Sequence, residues 1–146
     1  MLGISSFKNL VTGDIAIDLG TANTLILHND KVVVDKKVVE GALANVLLPD
    51  TLSQNAQIGK LAFEVKCVSC HGTNAAGQAG VAPPLVHIIY EPNHHGDESF
   101  QRAAALGVRA HHWSFGNMPA VEGLTRTNLK MIVAYIRELQ RANGIN

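Results

Sequence analysis

Residues 67–71 read Cys67-Val68-Ser69-Cys70-His71, and this stretch decides how the chain around it is understood. These are the chain's two cysteines, with two residues between them. A disulfide closing so small a loop would stabilise little. The pair therefore points to redox exchange, half of a metal site or haem attachment. The adjoining histidine favours the last. On one helical turn both thiols can reach the two vinyl groups of a porphyrin and form thioethers, and the next residue projects His71 toward the iron as an axial ligand. A closed zinc site needs four nitrogen or sulfur ligands. There is no second cysteine pair, although His94, His95, His111 or His112 could complete a mixed site. A thioredoxin-like pair follows a strand in a βαβ setting, whereas a helical pattern leads into Cys67.

That leading segment predicts a helix over about 54–66, with Ser53 as N-cap and Ile58, Leu61, Ala62 and Val65 as its apolar stripe. A second helix is expected over about 98–109, started by Asp97, with Phe100, Ala103, Ala104 and Val108 inward. The third is capped by Thr125 and buries Leu129, Ile132, Val133, Ile136 and Leu139, with Gly144 placed to terminate it. Gly72–Val86 and Pro92–Gly96 are rich in turn residues and read as loops.

Just before the third helix stands Gly116-Asn117-Met118-Pro119. A methionine is usually core filler, but flanked by Gly and Pro it sits on a rigid, irregular segment that can present its sulfur. A thioether opposite His71 raises the reduction potential of a haem and favours ferric–ferrous cycling. With both axial positions filled, oxygen and peroxide find no open site, which points to an electron carrier rather than an enzyme. Two other classes stay open: a haem sensor or enzyme in which Met118 dissociates, and a zinc-binding module.

Composition fits a haem. Aromatic residues make up only 5% of the chain, thin for a core unless something else fills the interior. The formal net charge is zero, which leaves no electrostatic footprint for nucleic acid. Redox partners should dock through an exposed haem edge without strong steering. No run approaches the roughly 20 apolar residues of a stable membrane span. No secretory signal is legible either: Met1–Val11 has Lys8 alone for charge, and the later apolar run is broken by Asp14 and Asp18. Met1–Val11 could at most touch a membrane surface as a short amphipathic segment. Four of the seven histidines form the pairs His94-His95 and His111-His112. They could be a second metal site, with copper as one candidate, or a rival iron ligand. Adjacent histidines do not by themselves converge on a metal, so solvated loop residues or propionate contacts are the expectation. Arg109 and Trp113 are further candidates to hydrogen-bond haem propionates.

Residues 48–146 resemble a class I, mono-haem, bacterial cytochrome c. The likeness rests on the haem motif, on Gly59, Phe63 and Cys67 at intervals of four, on Ala82-Pro83-Pro84-Leu85, on Met118-Pro119 and on Leu124-Thr125. It implies covalently bound haem c with His71 and Met118 as axial ligands. The Pro83 carbonyl should accept a hydrogen bond from the proximal imidazole. Gly59 should let the last helix cross closely, and Tyr135 should supply that helix's aromatic partner. It also implies redox proteins as partners and a periplasmic location, since haem attachment takes place outside the bacterial cytoplasm.

The N-terminal third differs. Ile15–Leu19, Thr24–His28 and Val32–Val34 are strand-like, and Asn29-Asp30 supplies a turn for a hairpin. Gly13-Asp14-Ile15-Ala16-Ile17-Asp18-Leu19-Gly20-Thr21-Ala22-Asn23-Thr24 resembles the first phosphate loop of bacterial actin-like rod-shape proteins, a likeness extending over residues 1–36. An actin-type site needs further loops for which this chain has no room, so no ATP binding is expected. The expected fold is mostly α. Residues 48–146 form a cytochrome c-like helical domain around haem, and residues 1–47 a short, non-functional β-hairpin extension.

Overall fold

The computed structural model describes residues 41–146 in full, and residues 15–18, 23–28 and 31–37 as strand backbone. It divides into two compact units, Met1–Val39 and Glu40–Asn146.

In the first unit, β1 (Ile15–Asp18), β2 (Asn23–His28) and β3 (Lys31–Lys37) form an antiparallel sheet in the order β1-β2-β3. The expected hairpin is the β2–β3 pair. Strand β1 adds a second ladder to it, so the extension is a three-stranded meander. Three strands are better able to hold together than an isolated pair. Ile26 pairs with Val34 and Leu27 with Val32, leaving Val33 as the extra residue of a bulge. The Asn29-Asp30 turn, the Met1–Val11 segment, and Gly13, Asp14, Leu19, Gly20, Thr21 and Ala22 of the phosphate-loop stretch lie outside the described residues.

The second unit is mostly helical: α1 (Gln54–Lys66), the single turn α2 (Val68–His71), α3 (Asp97–Leu106) and α4 (Arg126–Ala142). Helix α4 is set by its cap. The Thr125 hydroxyl accepts from the Asn128 N–H at 3.1 Å, and Asn128 Oδ1 accepts from the Thr125 N–H at 3.0 Å. Leu129, Ile132, Val133, Ile136 and Leu139 are all buried, as their helical spacing predicts.

Helix α1 starts where predicted, with the Ser53 hydroxyl accepting from the Ala56 N–H at 3.2 Å. Its buried face is not the predicted one, of which Ala62 alone is partly buried against the core. Ala56, Gly59 and Phe63 point inward, whereas Ile58, Leu61 and Val65 are 49%, 66% and 78% exposed. The cause is the crossing with α4. A Cβ on Gly59 would stand 1.8 Å from the Met131 carbonyl oxygen. The two backbones are therefore in contact, and only the small-residue face of α1 permits that. The same approach brings the Phe63 and Tyr135 rings edge-on at 5.7 Å between centroids.

Helix α3 stops at Leu106, short of the predicted Arg109, because Gly107 leaves the helix at φ 77°. Val108 thus lies beyond the helix, where it pairs with Met118. Asp97 is not the cap: it lies in the first turn, where the helix dipole favours its charge, and Gly96 is the cap.

Candidate functional site

Helix α1 delivers Cys67 to the centre of the unit. There the backbone leaves α geometry at φ −120°, ψ −27°, and α2 begins. One turn then carries Cys67, half-buried, Cys70, exposed, and His71, buried. The loop that follows coils tightly because Gly72, Asn74, Ala75 and Gly77 all take left-handed conformations. The Gly77 N–H donates to the His71 carbonyl at 2.7 Å, and the Leu85 N–H to the Ala75 carbonyl at 2.8 Å. A Cβ on Gly77 would stand 2.5 Å from the Pro84 nitrogen, so this close turn needs glycine.

That compaction brings the Pro83 carbonyl 3.0 Å from His71 Nδ1. A carbonyl only accepts, so Nδ1 carries the proton and Nε2 keeps its lone pair. Burial pushes the His71 pKa below its ordinary value, and the Pro83 bond opposes that only in part. The ring is a neutral imidazole with one free nitrogen, the form that ligates metals.

Cys67 has the opposite character to the attacking thiol of a redox pair. Burial, and then the neighbouring Cys70, push the Cys67 thiol up to about 11. Reactive C-x-x-C pairs work through a lowered thiol pKa. Nor does the pair belong to a metal-ligating cluster. Among the described residues, the group of three or more histidine, cysteine or carboxylate side chains close enough to share an ion contains neither cysteine.

Met118 is held from both sides. Its N–H and carbonyl exchange hydrogen bonds with Val108 at 2.9 Å each. The Ala110 N–H bonds Asn117 Oδ1 at 2.9 Å. Gly107 admits the Met118 carbonyl so closely that a Cβ there would meet it at 2.7 Å.

Cys67, Cys70, His71, Pro83, Met118, Arg109 and Trp113 all line one cavity of about 610 Å³, walled on its apolar sides by Phe63, Leu85, Leu129, Ile132 and Ile136. Cofactor sites commonly enclose about 300–1,000 Å³ of mostly apolar space. Trp113 Nε1 is buried with no hydrogen-bond partner. It lies near enough to the Tyr90 hydroxyl to temper the rise that burial gives that phenol, but no acceptor meets it at bonding geometry. An orphaned donor on a residue that lines a mainly apolar cavity fits a group that brings its own carboxylates. The residues present fit a haem c.

Two contributors were not anticipated from sequence. Arg137 is buried on α4, donating to Asp97 Oδ1 at 2.8 Å, to the Tyr90 carbonyl at 2.7 Å and to the His95 carbonyl. Gln140 donates to the Leu85 carbonyl at 2.8 Å and accepts from Arg137 at 2.6 Å. Together they tie the loops flanking the cavity to α4. The signal was available, because Arg137 and Gln140 fall on the helical stripe continued from Leu129 and Val133. The four histidines of the two pairs are also brought together: His95 lies 5.3 Å from His112 and His94 5.4 Å from His112, between ring centroids.

Compared with protein-family models, residues 56–140 match the family described as Cytochrome c, a span of more than half the chain. No curated protein and no solved structure matches.

Proposed function

The chain belongs to the cytochrome c family, and from that premise we propose that it carries single electrons on one covalently attached haem c, ligated by His71 and Met118. Membership brings a haem-binding, electron-transfer role and redox proteins as partners. The observation that carries the finer reading is the pairing of a buried His71, its Nδ1 anchored on Pro83, with a clasped Met118 on the wall of the same cavity.

In this reading Cys67 and Cys70 hold the cofactor through thioethers, and His71 offers Nε2 to the iron. The Pro83 carbonyl fixes the ring and raises its basicity. Met118, on a segment braced by Val108 and Asn117, would hold the iron through its thioether and would keep small molecules from it. Trp113 and Arg109 would face the propionates. A bound haem c supplies reversible ferric–ferrous chemistry at a potential raised by thioether ligation.

We assign the unit Glu40–Asn146 to electron transfer and Met1–Val39 to an extension without nucleotide chemistry; the expected boundary at 47/48 moves toward the N-terminus because Leu43, Ala44 and Leu47 bond to Ala76 and Asn143 of the helical unit. No helix among the described residues is long and apolar enough to cross a membrane. The proposal puts the protein in the periplasm, in keeping with the haem chemistry.

The test is the absorption spectrum of the purified protein, with and without carbon monoxide. A low-spin haem spectrum that survives acid–acetone extraction and ignores carbon monoxide supports the proposal. A spectrum that shifts with carbon monoxide means that Met118 dissociates and that the protein is a sensor or enzyme. No Soret band at all would leave a zinc-binding module.

A further inference from the structure

We propose that His94, His95 and His112 form a second metal site, selective for a divalent ion from the zinc–copper end of the first transition row. One ligand nitrogen from each of the three lies within 4.8 Å of the others. A tetrahedral ion with bonds of about 2.0–2.1 Å holds its ligand nitrogens about 3.4 Å apart. Small rotations of His94 and His112, both exposed, close that gap. His111 packs at a tilt against His112, 4.2 Å between centroids, but lies outside the group of three, so water would complete the coordination.

The tautomers suit the role. His95 Nδ1 is 2.6 Å from the Ile89 carbonyl, and His111 Nδ1 is 2.8 Å from the Arg109 carbonyl. Each carbonyl can only accept, so each ring donates from Nδ1, which leaves Nε2 as its remaining ligand atom. Carbonyl-oriented imidazoles of this kind are a usual accompaniment of metal ligation.

The frame is preorganised. The His94 and His95 N–H groups both donate to the Glu91 carbonyl, and the Arg137 guanidinium grips the Tyr90 and His95 carbonyls while paired to Asp97. On the other side, Ala110 is fixed to Asn117 and Val108 to Met118. An ion at this point would tie the 91–96 turn to the segment that ends in Met118. The ligand set contains no carboxylate, which disfavours calcium and magnesium and favours ions that prefer imidazole.

The proposal does not depend on the haem reading, and the test separates the two. Zn2+, which is redox-inert, is titrated calorimetrically into the haem-loaded full chain, with the Soret band recorded throughout. One ion per chain is expected, with affinity weakened at least about tenfold in His112→Ala and in His94→Gln, and with an unchanged Soret band. Absence of stoichiometric binding, or equal affinity in both variants and the parent, overturns the site. Both substitutions are at exposed positions, and a far-UV circular dichroism spectrum like the parent's shows that each variant is folded. A failure of the haem reading would appear in the spectrum and not in the zinc titration.

Discussion

Replacing Gly59 by alanine tests the helix crossing on which the site is built. The new Cβ would stand 1.8 Å from the Met131 carbonyl oxygen, 2.4 Å from its carbonyl carbon and 2.9 Å from the Ile132 nitrogen. All three are backbone atoms, so no side-chain rotation relieves the clash. Reaching an ordinary contact of about 3.4 Å requires α1 and α4 to separate locally by about 1.6 Å, at the point where Phe63 packs on Tyr135. Overpacking of a core costs about 1–3 kcal/mol, and a rigid neighbour puts this case near the upper end. Alanine's better helix propensity returns about 1 kcal/mol. The net loss is about 2 kcal/mol, which for a domain of this size lowers Tm by roughly 8–16 °C. Thermal unfolding of the haem-loaded chain, followed by far-UV circular dichroism, measures it. Leu61→Ala is the control, because Leu61 is 66% exposed and its loss should cost under about 0.5 kcal/mol. If Gly59→Ala melts at or above the parent, or Leu61→Ala costs as much, the helices do not cross as described.

Met118→Ala should lower the reduction potential and admit carbon monoxide; an unchanged potential and no carbon monoxide adduct would remove Met118 as ligand. Cys67→Ser combined with Cys70→Ser should make the haem extractable by acid–acetone, and retention in the protein would contradict thioether attachment. Burial, and then the Glu64 carboxylate, push the Tyr135 phenol up to about 12. The folded state therefore keeps a proton that the unfolded chain releases above about pH 10. This contribution is intact below pH 10 and is lost as pH rises through about 12. Tyr135→Phe should flatten the fall in stability over that window, and a denaturation series with the same slope as the parent would refute the assignment. Arg137→Ala leaves the His95 carbonyl and Gln140 Oε1 without their donor and the Tyr90 carbonyl with Gln140 Nε2 alone. It should cost about 2–4 kcal/mol in urea unfolding, and a loss under about 1 kcal/mol would mean the network is not structural.

The chemistry of the site was legible because it demands particular residue types at particular separations. Two thiols and an imidazole on one turn are visible in a string of letters, as is a methionine between glycine and proline. Helix α4 was legible for a related reason. Its cap is a side-chain hydrogen bond between residues three apart, and its stripe is made of large aliphatic residues that hydrophobic periodicity weighs heavily. Helix α1 shows where that weighting fails. Ile58, Leu61 and Val65 outrank Ala56 and Gly59 on any hydrophobic scale, yet the partner backbone requires the smaller face. Closeness of approach decided the orientation, and apolar area did not.

The histidine pairs mark a deeper limit. Nothing local to His94-His95 or to His111-His112 says that they meet, and two adjacent imidazoles alone have no reason to share an ion. They are brought together by Arg137, more than forty residues from the first pair and about twenty-five from the second, which pins the turn carrying His95. The Val108–Met118 pairing meanwhile folds the second pair's segment back on itself. A sequence motif can announce a site whose ligands lie on one turn of chain. A site assembled by a buried guanidinium and a two-residue bridge exists only once the tertiary contacts are made. The haem motif and the histidine cluster stand on opposite sides of that division, although both border the same cavity.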